Sequence, residues 1–536
     1  MKRTLLLLRF ALRRERWILP IWTLGIVGLL AASGAAVARE FGDEQERAAL
    51  AAVAVGNPAF LFLRGLPDGA DVGALVFFQT FTFLAVLAAL MNTFLMVRHT
   101  RADEERGRTE LLAAAPVRRS AGLAMTLAVA VAADAVVAVA SAADGIALGW
   151  APIAAITVGA ALGAVGVAFA GIAALVAQAM PSPRGANGVA AALVGVAYVV
   201  RGIGDALDTA TDLTHARPSW VSLLSPIGWG QASAPFSAAD PRPLLGLLAL
   251  GAVTSIVALV IRSRRDLGSS LLPERGGAVG WPRSGVRALA ARLQAGTLLG
   301  WAIGAAVLGV LAGALTPLVA EAVAANDDLA DLIARLSPGL RTDTATVFAV
   351  ALLGIAGTLA TAGGVQAILR LRVEEAEGRA ELLLASPVSR IAWLGRQLAV
   401  AVGSMVVIAV TAGLTAGLGF VAAGDGWDRV PESLAAVAVH LPAGTVFVAL
   451  TLAGFALLPR ATAAIGWGLL AIGLVLGQFG ELFGLPGWLQ DVSPFHHVPA
   501  VPIETVEPTQ LLLPLAVAVG VAAAGILVMR RRDVTG

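Results

Sequence analysis

The 536-residue chain contains no cysteine. A disulfide framework and a thiolate metal site are therefore excluded. Lysine is almost absent as well. Lys2 is the only one, and every other basic residue counted with it is arginine. A phosphate-cradling loop of the form G-x-x-x-x-G-K-[ST] needs a lysine behind its glycines. This chain has none to offer. Charged residues of both signs make up 14%, against about 25% in an ordinary soluble domain. Too little polar surface remains to cover a water-soluble globule of this size. A soluble enzyme, a disordered chain and a nucleic-acid binder are excluded on that ground.

What the chain has in abundance is apolar sequence. Hydrophobic residues reach 58%, and the mean hydropathy is +0.82. Long charge-poor runs read as membrane-spanning helices, because only a helix satisfies its own backbone in hydrocarbon. In the first half they are Trp17–Ala38, Val72–Val97, Ser120–Ala143, Ala151–Met180, Gly185–Val200 and Pro243–Ile261. In the second they are Leu293–Ala320, Thr344–Leu369, Gln397–Ala423, Leu434–Pro459, Ala461–Gly480 and Gln510–Met529. The alternation of a β-barrel is missing. The expected fold class is all-α, a polytopic membrane protein with twelve transmembrane helices.

Charge placement orients these spans. With both termini cytoplasmic, the cytoplasmic side holds 29 of the 38 basic residues and 12 of the 36 acidic ones. The outer side holds 9 basic and 23 acidic residues, with Asp134 left inside a span. That imbalance follows the positive-inside rule and predicts a multi-pass protein of the cell membrane. The start of the chain also has features of a secretory leader, with Ala36, Val37 and Ala38 as a small-residue cleavage site. Its apolar stretch is too long for that, and removal would delete a span the charge count needs.

The chain repeats itself. Residues 101–119 read RADEERGRTELLAAAPVRR, and residues 372–390 read RVEEAEGRAELLLASPVSR. They align without a gap at an offset of 271, with 11 identities in 19 positions. Each copy follows the second span of its half. Pro218, Trp220, Ser225 and Pro226 likewise return as Pro486, Trp488, Ser493 and Pro494, before the last span of each half. The organisation this predicts is a first half over 1–262, a cytoplasmic linker and elbow over 263–292, and a second half over 293–536. The two six-span halves have the same orientation and are related by a pseudo-twofold axis along the membrane normal.

As a helix, 101–115 places acids in its first turns and Pro116 after its last. Glu104 with Arg108, and Arg106 with Glu110, stand four apart and predict ion pairs along it. Arginines alone would set topology. Acids, glycine and proline kept at matched positions point to two copies of one docking surface. Ahead of the first span, Arg9, Arg13 and Arg16 share one face of a helix over residues 1–16, opposite Leu5, Leu8 and Leu12. That is an interfacial elbow, echoed more weakly by Arg283 and Arg287.

The pattern E-x-x-G-R-x-E-L-L-x-A-[AS]-P-V resembles the coupling helix of ABC-2-type exporter permeases. The two fused halves, rich in Ala, Gly and Arg, are similar to actinobacterial permeases described as polyketide-antibiotic exporters. The resemblance implies a coupling surface formed by Glu104, Glu105, Gly107, Arg108, Glu110 and Pro116 in the first half. Glu375, Gly378, Arg379, Glu381 and Pro387 take that place in the second. It also implies a hydrophobic or amphipathic substrate and two copies of a separate ATPase subunit. ATP and Mg would sit on that partner, since this chain has no loop for them. No catalytic residue, metal site or nucleic-acid partner is expected on this chain.

Candidates for the substrate pathway are the intramembrane polar groups Asp134, His440, Gln79, Asn92, Gln366 and Gln478. Such groups are costly in lipid and face the bundle interior. The ordinary alternative is an interhelical hydrogen bond. Gly159 and Gly163 form a G-x-x-x-G pair, a spacing that 60 glycines produce by chance. Two other functions compete. An ion-coupled secondary transporter of twice six helices would rely on Asp134 and His440. A membrane-embedded transferase would use the acidic outer stretches Glu40–Glu46 and Asp327–Asp331.

Overall fold

The computed structural model describes residues 2–55, 58–113, 118–207, 211–272, 286–324, 344–478 and 485–532. The chain divides into two compact units, Met1–Gly277 and Ala278–Gly536. Among the described residues each is built of helices, with no strand beyond an isolated bridge between Asp68 and His215.

The first unit opens with α1 (Lys2–Glu15) and the span α2 (Ile18–Glu40). Two short helices follow, α3 (Glu44–Val55) and α4 (Pro58–Arg64), then the span α5 (Val72–His99). The repeated segment forms α6 (Arg101–Glu105) and α7 (Arg108–Ala113). The spans α8 (Ala121–Ala147), α9 (Pro152–Ala179) and α10 (Pro183–Ala206) come next. A short α11 (Pro226–Gln231) precedes the last span, α12 (Arg242–Arg264). Prolines in the first turns of α9, α10 and α11 start these helices where an amide N–H would go unused.

The second unit has the spans α13 (Val286–Ala324) and α14 (Thr344–Ala376), then the short α15 (Arg379–Leu384). Span α16 (Arg390–Ala422) leads to α17 (Arg429–Ala438) and α18 (His440–Leu457). These two join end to end into one crossing. Helices α19 (Thr462–Gln478), α20 (Gly487–Gln490) and α21 (Pro508–Arg531) complete it.

Eleven helices among the described residues are long and apolar enough to cross a bilayer. The expected count is twelve, and the difference lies in α19. Its described part, which stops at Gln478 where the described residues stop, has 17 residues, where a straight crossing takes about 20. Each unit buries the same two spans most deeply. In the first, 72% of the most apolar stretch of α5 and 78% of that of α9 are buried, against 22% in α2 and α12. In the second, α14 reaches 72% and the α17–α18 crossing 56%, against 17% in α13 and 22% in α21. The second and fourth spans are therefore the core of each unit, and the remainder lie around them.

Small residues let these helices close on one another. A side-chain Cβ at Gly159 would come within 2.2 Å of the Ala138 carbonyl oxygen, and one at Gly163 within 3.0 Å of the Asp134 carbonyl oxygen. The G-x-x-x-G pair, indistinguishable from chance in the sequence, is where α9 crosses α8. Close backbone approach is how helices associate in lipid, where burial gives little drive.

The Ser-Pro pair shared by the two halves does the same work in both. Ser225 Oγ accepts from the Ile227 N–H at 3.2 Å and donates to the Ala197 carbonyl of α10 at 2.7 Å. Ser493 Oγ accepts from the Phe495 N–H at 3.2 Å and donates to the Gly473 carbonyl of α19 at 2.6 Å. In each unit the loop before the last span is thereby pinned to the fifth.

Gly159→Leu should lower the melting temperature of the detergent-purified chain, corresponding to an overpacking cost of about 1–3 kcal/mol. Gly188→Ala, where no atom lies within 4 Å of the added carbon, should leave it unchanged or slightly raised. Equal melting of the two variants would remove the packing role given to Gly159.

Candidate coupling segments and buried polar groups

Each repeated segment begins where the second span of its unit ends. The single helix expected over 101–115 is instead two, because Gly107 interrupts it with φ +68°. Gly378 stands at the matched place with φ +71°. A residue with a Cβ pays about 1–2 kcal/mol in that left-handed region. The glycine N–H closes a turn onto the repeated glutamate: Gly107 donates to the Glu104 carbonyl at 3.0 Å, and Gly378 to that of Glu375 at 3.1 Å. The E-x-x-G part of the motif is this turn.

The glutamate side chains point inward, and the expected Glu104–Arg108 and Arg106–Glu110 pairs do not form. Glu104, its side chain 7% exposed, meets Arg101 at 2.5 Å, Arg265 at 2.6 Å and Arg262 at 3.4 Å. Arg262 and Arg265 sit at the end of the last span, α12. Glu375, 1% exposed, is bonded by Arg532 at the end of α21 and approached by Arg372 at 3.9 Å. Both last-span arginines also reach the end of the fourth span. Arg265 donates to the Gln178 carbonyl at 3.3 Å, and Arg532 to the Phe455 carbonyl at 2.9 Å. One arginine thus ties the second, fourth and sixth spans together in each unit. The sequence carries a trace of this. Arg264, Arg265 and Asp266 return as Arg531, Arg532 and Asp533, but three letters in a basic stretch do not stand out.

Glu104 and Glu375 are therefore corrected from surface residues to internal anchors: a carboxylate this far from water needs the arginine beside it. The outward faces are made by other members of the set. In the first unit Glu105, Arg108 and Glu110 are exposed, with Leu111 78% exposed beside them. In the second they are Arg379, Glu381 and Pro387, with Leu382 76% exposed. Pro116 lies outside the described residues.

The elbow helix α1 docks on the same end. Arg14 pairs with Asp103 at 2.7 Å, and Glu15 takes Arg98 at 3.0 Å and His99 at 2.7 Å. Burial works to raise the Glu15 carboxyl, but His99 and Arg98 outweigh it and hold the group below the ordinary carboxylate value.

The intramembrane polar candidates are mostly bonded. Asp134, 1% exposed, accepts from Asn92 Nδ2 at 2.8 Å. A Cβ at Gly166 would strike both groups, so α5, α8 and α9 meet here. His440 Nδ1 lies 3.1 Å from the Ala436 carbonyl, its ring packed on Gly357 of α14. Gln478 donates to Thr358 Oγ1 at 3.2 Å, and Gln366 accepts from Trp301 Nε1 at 2.7 Å. Gln79 is half-buried.

One buried pair escaped the sequence reading, because the fifth span was ended at Val200. The helix runs on to Ala206, and Arg201 and Asp205 pair at 3.0 Å with both side chains fully buried. Arg201 also donates to the carbonyls of Leu61 and Phe62 at 3.2 and 2.8 Å, and Ser222 Oγ donates to Asp205 at 2.5 Å. The i, i+4 spacing of the pair was the available signal.

Two comparisons place the chain among known proteins. The family model described as "Multidrug efflux system permease Rv1217c, C-terminal domain" matches residues 7–261 and 284–530. The "Multidrug efflux system permease protein Rv1217c" of Mycobacterium tuberculosis (strain ATCC 25618 / H37Rv) is 34% identical over 535 residues, covering 99% of this chain and 95% of that protein.

Removing one partner of a buried ion pair costs about 3–5 kcal/mol. Glu104→Gln and Glu375→Gln should each lower the melting temperature markedly, whereas the exposed Glu105→Gln should stay within about 0.5 kcal/mol of the parent. Indistinguishable melting of Glu104→Gln and Glu105→Gln would contradict the anchoring role.

Proposed function

This chain belongs to the multidrug efflux system permease family, and from that premise we propose that it is the permease subunit of an ATP-driven ABC exporter. Its cargo is hydrophobic or amphipathic, drug-like or lipid-like, taken from the cytoplasm or inner leaflet. The observation that carries the coupling part of this reading is the matched exposure of Leu111 and Leu382. Each stands next to an exposed glutamate, Glu110 or Glu381, and near an exposed arginine, Arg108 or Arg379. An apolar residue ringed by charge, repeated once per unit, suits a partner with two equivalent faces.

That partner is a pair of separate ATPase subunits carrying ATP and Mg. Lys2 as the sole lysine supports placing the nucleotide there. Closure of the ATPase pair would act on α7 and α15. The turns at Gly107 and Gly378 join these helices to the second spans, and Arg265 and Arg532 carry the force on to the fourth and sixth. The 29 basic residues on one side against 9 on the other support a cell-membrane protein with both termini in the cytoplasm. The internal bonds of Asp134 and His440 weigh against an ion-coupled transporter, which needs titratable groups open to its pathway.

Reversing both exposed acids, Glu110→Lys with Glu381→Lys, should abolish co-purification of the ATPase and cut transport about tenfold or more, since like charges set against each other cost several kcal/mol. The melting temperature should not change, because both side chains are exposed. Normal transport by the double variant would show the coupling assignment to be wrong.

A further inference from the structure

A cavity of about 400 Å³ opens beside the first repeated segment, between α1, α7 and the facing ends of α8 and α12. Four arginines line it, Arg14, Arg118, Arg119 and Arg262, together with the acids Asp103 and Glu104. The acids are already spoken for. Asp103 takes Arg14 and Arg108, and Glu104 takes Arg101, Arg262 and Arg265. Five guanidinium groups thus share two carboxylates. The surplus is visible atom by atom. Arg262, 6% exposed, lines the cavity with its Nη1 lacking any acceptor, and Arg101 Nη2 and Arg265 Nε lack one as well.

Arg118 adds a further positive charge and makes no ion pair among the described residues, while Arg119 meets only the exposed Asp266 at 3.6 Å. Buried guanidinium groups without acceptors are costly, and an incoming anion would relieve that cost.

His99, Thr100 and Thr109 also line it, and Phe10, Leu123, Met125 and Leu267 give the wall an apolar flank. Phe10 on α1 is 68% exposed. The cavity lies where the second span ends, the third begins and the sixth ends, the level at which lipid headgroups meet the hydrocarbon.

We propose that this cavity binds an anionic phospholipid, its phosphate on Arg118, Arg119 and Arg262 and the start of its acyl chain along Phe10 and Met125. A basic pocket among span ends with an apolar flank has the charge and the depth for such a headgroup. The site belongs to the first unit. At the matched offset Arg118 becomes Ser389, and Arg390 is turned inward to the carbonyls of Met529, Arg530 and Arg532. A lipid here would brace the elbow helix against the coupling segment of one half only.

Native mass spectrometry of the delipidated full chain tests this without reference to transport. Phosphatidylglycerol should bind about tenfold more tightly than phosphatidylcholine of the same chain length, because arginines at the membrane surface favour a headgroup with net negative charge. Arg118→Gln with Arg119→Gln should bring the two lipids close to parity, while Arg9→Gln, on the same elbow but outside the cavity, should keep the preference. An undiminished preference in the double variant overturns the site. So does equal binding of both lipids by the parent. If the parent shows no lipid preference yet binds inorganic phosphate in a manner lost in the double variant, the site takes a free anion and the lipid assignment falls.

Discussion

A carboxylate that is to stay charged away from water needs a cation beside it, and the architecture of both units hangs on one such pair. Glu104 and Glu375 each end a second span, and each meets an arginine from the end of the last span. The same arginine caps a carbonyl at the end of the fourth. Three spans that are distant in sequence are thereby held together at one end. Hydrophobic burial cannot do this in a bilayer, because lipid is as apolar as the helix surface. Directional, charge-assisted bonds at the membrane edge can.

The turn next to this bond separates two tasks. Glycine in the left-handed region ends the second span and redirects the chain. The glutamate before it stays inside, and the charged residues after it go out. A continuous helix would have spread Glu104, Arg108 and Glu110 along neighbouring faces, and the anchor and the outward surface would have competed for the same residues. Under the proposed coupling role, a push on α7 or α15 would reach the anchored glutamate through this turn.

The halves share this joint but not their interiors. In the first unit Asn92 and Asp134 meet across α5 and α8. At the offset of 271 these positions are Gly363 and Met405. Met405 is fully buried and lies against the neighbouring Gly364. A polar junction in one half is thus an apolar one in the other. Among the described residues Glu375 meets only Arg532 and Arg372, where Glu104 meets three arginines. What the repeat preserves is the connection between spans, and what it lets vary is the material between them.

The span pattern and the repeat were legible from the residues alone, because hydropathy and self-similarity are properties of composition and order. The expectations that missed have a common cause. Arg108 stands four residues from Glu104, but Arg265 stands 161 away, and only folding shows which is nearer. The glycines at 159 and 163 look like any others until α8 is found against them. The fifth span was cut short because Arg201 and Asp205 read as the edge of the membrane, whereas paired with each other they stay inside. Local order set where the helices form. Which buried charge meets which partner was decided only when helices remote in sequence were brought side by side, since the energy of an ion pair depends on distance and burial, neither of which the sequence states.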